Sequence, residues 1–131
     1  TFVHEFAHVV HESAVPYRGM GLSADPSAIE GFARYFEVAA GTMDGNFESP
    51  QVTQMILEDG EYAMTEEALR NQDAWYAYNV AGSFYQYVED SGGSAWQLAL
   101  DRDKGLTMVM RAKEQDGEFS EADWQAWAAA Q

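Results

Sequence analysis

Apolar positions along this chain recur at helical intervals and rarely alternate. Residues 1 to about 13 form an apolar-rich stretch that carries all three histidines. Ile29, Phe32, Ala33 and Phe36 make a stripe at the spacing of one helix face. Asp25-Pro26 supplies a cap followed by proline at the first helical position. Gly41 supplies a stop, so a helix is predicted over residues 26–40. Ser49-Pro50 repeats the start signal for a short helix ending near Gly60, and Thr65 opens another. Tyr76, Val80, Phe84, Tyr87 and Val88 predict one long inward-facing helix, capped at Asp73, running to Asp90 and closed by Gly92-Gly93. Shorter helices are predicted from Ser94 to about Arg102 and over roughly 106–114. The last begins at Ser120, with Asp123 three residues on as a capping box, and turns Trp124 and Trp127 toward the core. No pair of segments reads as strands. The fold class is therefore mainly α, a helical bundle forming a single domain over residues 1–131.

Composition narrows the partners. With 131 residues and 47% hydrophobic positions, the chain can bury one core and does not read as disordered. Its 22 acidic against 7 basic residues give a net charge of −15, which makes nucleic acid and anionic membranes poor partners. A high-salt setting, where screening relieves self-repulsion, is a sharper reading of the same charge. No apolar run approaches the roughly 20 residues needed to span a bilayer, so membrane insertion is not expected. Cysteine is absent, which excludes disulfides and thiolate zinc sites; any metal must be held by histidine and carboxylate. The first residue is Thr1 and no signal-peptide pattern follows it, so the expectation is an N-terminally truncated piece of a longer protein.

The strongest chemical signal is His4-Glu5-Phe6-Ala7-His8, an H-E-x-x-H motif. Histidines four residues apart lie about 40° apart around a helix and about 6 Å apart along it, so both imidazoles can reach one ion. Glu5 projects to the side, where it can take a proton from a water without being a ligand. A catalytic zinc site needs a third protein ligand. His11 shares the face but lies about 10.5 Å along the axis from His4, too far for one straight helix to wrap, and is expected at the surface or behind the ligands. Glu30 sits on a separate helix, with 21 residues between it and His8. Gly31 beside it would allow close helix approach, and the bland alternative is a surface Glu30–Arg34 pair. Glu37, two turns further along the same face, is a weaker ligand candidate that could instead hydrogen-bond a ligating histidine.

His4-Glu5-x-x-His8, a spacer of about twenty residues, and Glu30-Gly31-Phe32-Ala33-Arg34-Tyr35-Phe36-Glu37 together resemble the gluzincin metallopeptidases. The likeness is to the aminopeptidase-N-like branch, with Ile29 in place of that branch's asparagine and a slightly longer spacer. Gly82-Ser83-Phe84-Tyr85-Gln86-Tyr87 and Trp124-Gln125-Ala126-Trp127 also resemble the helical half of small bacterial peptidase-MA-like domains. The resemblance implies one Zn²⁺ per chain on His4, His8 and Glu30, with Glu5 as general base and acid acting on a peptide or protein substrate. It also implies a Tyr or His that stabilises the oxyanion, for which Tyr76 and Tyr78 are candidates. Finally, it implies a β-sheet upstream of the active-site helix, absent from this chain, whose edge strand aligns the substrate. The amine-recognition motif that separates exopeptidase from endopeptidase would lie there too. Two other classes compete with an enzyme: a non-catalytic zinc-binding or helical interaction module, and an acidic helical domain with no metal.

Overall fold

A computed structural model describes residues 2–14, 26–41, 47, 50–57, 64–65, 68–69, 76–101, 107–115 and 117–131. Among them the chain is all-helical, with no strand. The helices are α1 (Phe2–Ala14), α2 (Pro26–Ala39), α3 (Pro50–Leu57), α4 (Ala81–Asp90), α5 (Ala95–Leu100), α6 (Met108–Lys113) and α7 (Glu121–Ala129). A π-helical turn, Tyr76–Val80, runs directly into α4. No described helix is long and apolar enough to cross a membrane.

Local signals set most described boundaries. Ser94, Thr107 and Ser120 cap α5, α6 and α7, their hydroxyls accepting from the backbone N–H of Gln97, Met110 and Asp123. Gly41 follows α2 with φ +70°, a conformation that other residues rarely adopt. The predicted caps at Asp25, Ser49 and Asp73 lie outside the described residues. The long helix predicted up to Asp90 is divided in the structure. Its first described turn is π-helical, and only from Ala81 does α-helical geometry take over.

Helix α2 is the hub, packing against α1, the π turn, α4 and α5. Its crossing with α4 is made of two glycines. A β-carbon on Gly31 would lie 2.8 Å from Ala81 Cβ and 3.1 Å from the Ala81 carbonyl carbon. One on Gly82 would lie 3.2 Å from the Gly31 carbonyl oxygen. Gly31 therefore occupies a helix interior, at about 1 kcal/mol in propensity, because nothing larger fits. Beside this crossing Phe32 packs on Tyr85, whose hydroxyl donates to the Ala28 carbonyl at 2.8 Å. The two tryptophans then tie α7 to α4. Trp124 is fully buried and its Nε1 donates to Ser83 Oγ at 3.0 Å; Trp127 Nε1 donates to Asp90 Oδ2 at 3.0 Å.

Helix α1 is two-sided. His4, Ala7 and His11 are buried against the bundle. Phe2, Phe6 and Val9 lie on the other side, 83%, 49% and 61% exposed.

Gly31→Ala tests the crossing. Overpacking should cost about 1–3 kcal/mol, against a gain of about 1 kcal/mol in helix propensity. The expected outcome is a lower urea midpoint with an unchanged slope. A midpoint at or above wild type would show that the helices can separate without cost.

Candidate metal centre

Helix geometry brings His4 and His8 onto one face of α1, and the adjoining face of α2 presents Glu30 and Glu37. The structure places His4, His8 and Glu30 together as a potential metal-ligating group. His4 Nε2 lies 2.9 Å from Glu30 Oε2, His8 Nε2 lies 3.1 Å from the same oxygen, and the two Nε2 atoms are 3.0 Å apart. The imidazoles meet edge to face, with centroids 4.7 Å apart.

On the far side of His4, Nδ1 donates to Glu37 Oε1 at 2.5 Å. Glu37 is only 2% exposed, so its carboxylate is costly to bury without such a partner. The bond places the proton of a neutral His4 on Nδ1 and leaves the Nε2 lone pair facing Glu30 and His8. With His8 in the same tautomer, three electron-rich atoms face one point, an arrangement that calls for positive charge between them. Two imidazole nitrogens and a carboxylate oxygen suit zinc. Bonds of about 2.1 Å around a tetrahedral zinc would set ligand atoms roughly 3.4 Å apart, slightly wider than these contacts.

Without a metal, a proton supplies the positive charge. The Glu30 hydrogen bond raises the pKa of His8, against the opposing effect of burial, with help from the charges of Glu30, Glu5 and Glu12. Burial pushes Glu30 upward, but hydrogen bonds and charge from His8 and His4 prevail and hold it below the ordinary carboxylate value.

Glu5 is exposed, and its charge acts on both His8 and Tyr78. The two tyrosine candidates separate. Tyr78 stacks on the His4 ring, with centroids 5.1 Å apart and planes at 25°, and its hydroxyl hydrogen-bonds Glu30. Burial first, then the charge and hydrogen bond of Glu30, raise its phenol pKa and keep it protonated. Tyr76, by contrast, is fully buried in the core and its hydroxyl donates to Met64 Sδ at 3.3 Å. Two positions apart on a helical turn, the side chains point roughly opposite ways, and Tyr76 is unsuited to meet a substrate.

His11 is not at the surface in the structure. It is fully buried, and its Nε2–H donates to the Ala99 carbonyl at 2.8 Å, joining α1 to α5. Arg34 Nε donates to Asn79 Oδ1 at 3.2 Å, which ties α2 to the π turn. The π turn departs from the uninterrupted helix that the periodicity predicts. No protein-family model, curated protein or solved structure matches the chain. The likeness to the gluzincins therefore rests on the motif residues themselves.

A pH dependence follows for the metal-free protein. Glu30, its pKa lowered, contributes stability above its ordinary value of 4.5 and loses it as pH falls through the lowered pKa. His8, its pKa raised, contributes fully below its ordinary value of 6.5 and loses it as pH rises through the raised pKa. Chelator-treated protein should draw most stability from this pair between those two values, and Glu30→Gln should flatten the melting-temperature profile on both flanks. An unchanged profile would remove the pair from the account.

Proposed function

We propose that the chain is the metal-binding helical part of a zinc-dependent peptidase of gluzincin type. The observation that carries this reading is the convergence of His4 Nε2, His8 Nε2 and Glu30 Oε2 within 3.1 Å of one another, with Glu5 exposed next to His4 in the chain. Zinc held by His4, His8 and Glu30 would supply a lowered water pKa and polarisation of a carbonyl oxygen. Glu37 holds His4 in the tautomer that offers Nε2. The exposed carboxylate of Glu5 accepts the proton of the attacking water and returns it to the leaving amine, a role that needs a side chain beside the ligands but not among them. The substrate class is a peptide or protein.

A zinc-holding module without catalysis is the second reading. The ligand set and its Glu37 support make no use of Glu5, so metal binding and chemistry are separable here.

Metal analysis after dialysis against a weak chelator should find about one zinc per wild-type chain and none in Glu30→Ala. Equal zinc in both proteins would move the third ligand elsewhere and undo the gluzincin reading. Glu5→Gln should keep its zinc and lose hydrolysis of quenched-fluorescence peptide mixtures by about 100-fold or more. Zinc retained with no turnover even in wild type favours the module; normal turnover in Glu5→Gln sinks the proposed base.

A further inference from the structure

A ligand set is only as good as the groups that hold it still, and the three ligands here are held unequally. The His4 side chain is 7% exposed and its Nδ1 is fixed by Glu37. The His8 side chain is 17% exposed and that of Glu30 is 26% exposed. Glu30 is thus the ligand nearest solvent, on a flexible side chain with two further torsions beyond Cβ. Water can compete for its oxygens and draw the carboxylate away from the histidines.

One residue touches both the best-held and the least-held ligand. Tyr78 lies flat against the His4 imidazole, at 5.1 Å between centroids, and its hydroxyl bonds to Glu30. The stacked ring adds to the Glu37 hydrogen bond in opposing rotation of the imidazole about its Cβ–Cγ bond. The hydroxyl takes up lone-pair capacity on Glu30 and opposes its outward swing.

The backbone supports the same assignment independently. Tyr78 is the middle residue of the π-helical turn, whose other four residues, Tyr76, Ala77, Asn79 and Val80, are buried. Single π turns are uncommon and concentrate at functional sites, since their wider winding re-aims a side chain without breaking the helix. Here the turn keeps four residues in the core and leaves the fifth part-exposed at the ligands. Asn79 within it accepts from Arg34, one turn along α2 from Glu30, so the turn is fastened to the helix that carries the third ligand.

We infer that Tyr78 is a positioning residue for the metal centre, clamping the His4 ring by stacking and the Glu30 carboxylate by its phenolic hydroxyl. This rests on the zinc reading above and assigns Tyr78 a task in the resting site, before any substrate arrives. It differs from the oxyanion role that the gluzincin resemblance implies. An oxyanion donor acts on the substrate and leaves metal affinity alone, whereas a positioning residue acts on the affinity itself.

Zinc affinity, measured by competition with a chromophoric chelator, is the test, with cobalt(II) substitution as the spectroscopic readout. Tyr78→Phe keeps the stacked ring and deletes the hydroxyl; it should weaken zinc about 10-fold and shift the cobalt visible bands. Tyr78→Leu deletes both contacts and should weaken zinc further, toward about 100-fold. The metal-free melting temperature of Tyr78→Phe should stay at the wild-type value. Tyr76→Phe is the control: it removes the buried hydroxyl on Met64 and should leave zinc affinity unchanged. Wild-type affinity and cobalt bands in Tyr78→Phe would overturn the inference, as would equal weakening by Tyr76→Phe. A wild-type chain that binds no zinc would overturn the metal reading itself, and the inference with it.

Discussion

The buried carboxylate of Glu37 is the constraint on which the site depends. A carboxylate at 2% exposure needs a hydrogen-bond donor, and His4 Nδ1 provides one at 2.5 Å. That single bond has three consequences. It fixes how α1 lies on α2, because a residue near the start of one helix must meet one near the end of the other. It sets the tautomer of His4. It also aims the remaining lone pair at Glu30 and His8. The proposed ligand set is the far side of a packing contact, so a change at His4 alters the fold and that set together.

The rest of the bundle serves that crossing. Gly31 lets α4 approach α2 until a methyl group would collide, at the residue next to Glu30. The π turn leading into α4 is thereby brought against the same helix, and Tyr78 reaches the ligands from it. On the other flank, His11 hydrogen-bonds the Ala99 carbonyl and holds the second half of α1 against α5. Helix α1 is thus secured at both ends by histidines, one on a carboxylate and one on a backbone carbonyl. Its opposite face is left carrying Phe2, Phe6 and Val9 in solvent.

Much of this could be read in the sequence, and the parts that could are local. Helix faces follow from 3.6-residue periodicity, and the caps at Ser94 and Ser120 follow from side-chain chemistry within one turn. His4 and His8 share a face by spacing alone, and Glu37 shares one with Glu30 for the same reason. What could not be read depends on what lies opposite. His11 looks like a surface residue until α5 covers it. Periodicity already turns Tyr76 inward, but that Tyr78 meets His4 depends on α1 lying opposite. The π turn costs a register shift that only the surrounding packing can impose, so a periodicity analysis sees one uninterrupted helix through Asp90. Nothing in the local sequence around Gly82 shows that Gly31 stands against it.

The remaining question is why a small bundle should put two histidines and two glutamates where α1 meets α2. As scaffolding alone the choice is poor. Buried ionic clusters generally gain little over apolar residues of similar size, because desolvation offsets their attraction. Here two carboxylates, Glu30 and Glu37, meet two imidazoles at one helix crossing. Glu5 and Glu12 add to that field rather than relieve it, as the upward pull of all three carboxylates Glu5, Glu12 and Glu30 on His8 shows. A proton on His8 relieves part of the imbalance in mildly acidic solution and less of it as pH rises. A divalent cation would relieve it without a proton, since imidazoles ligate metal in their neutral form. The cluster is thus a poor structural solution and a reasonable cation site, which is the physical ground for preferring a metal-binding role over a purely helical, acidic one.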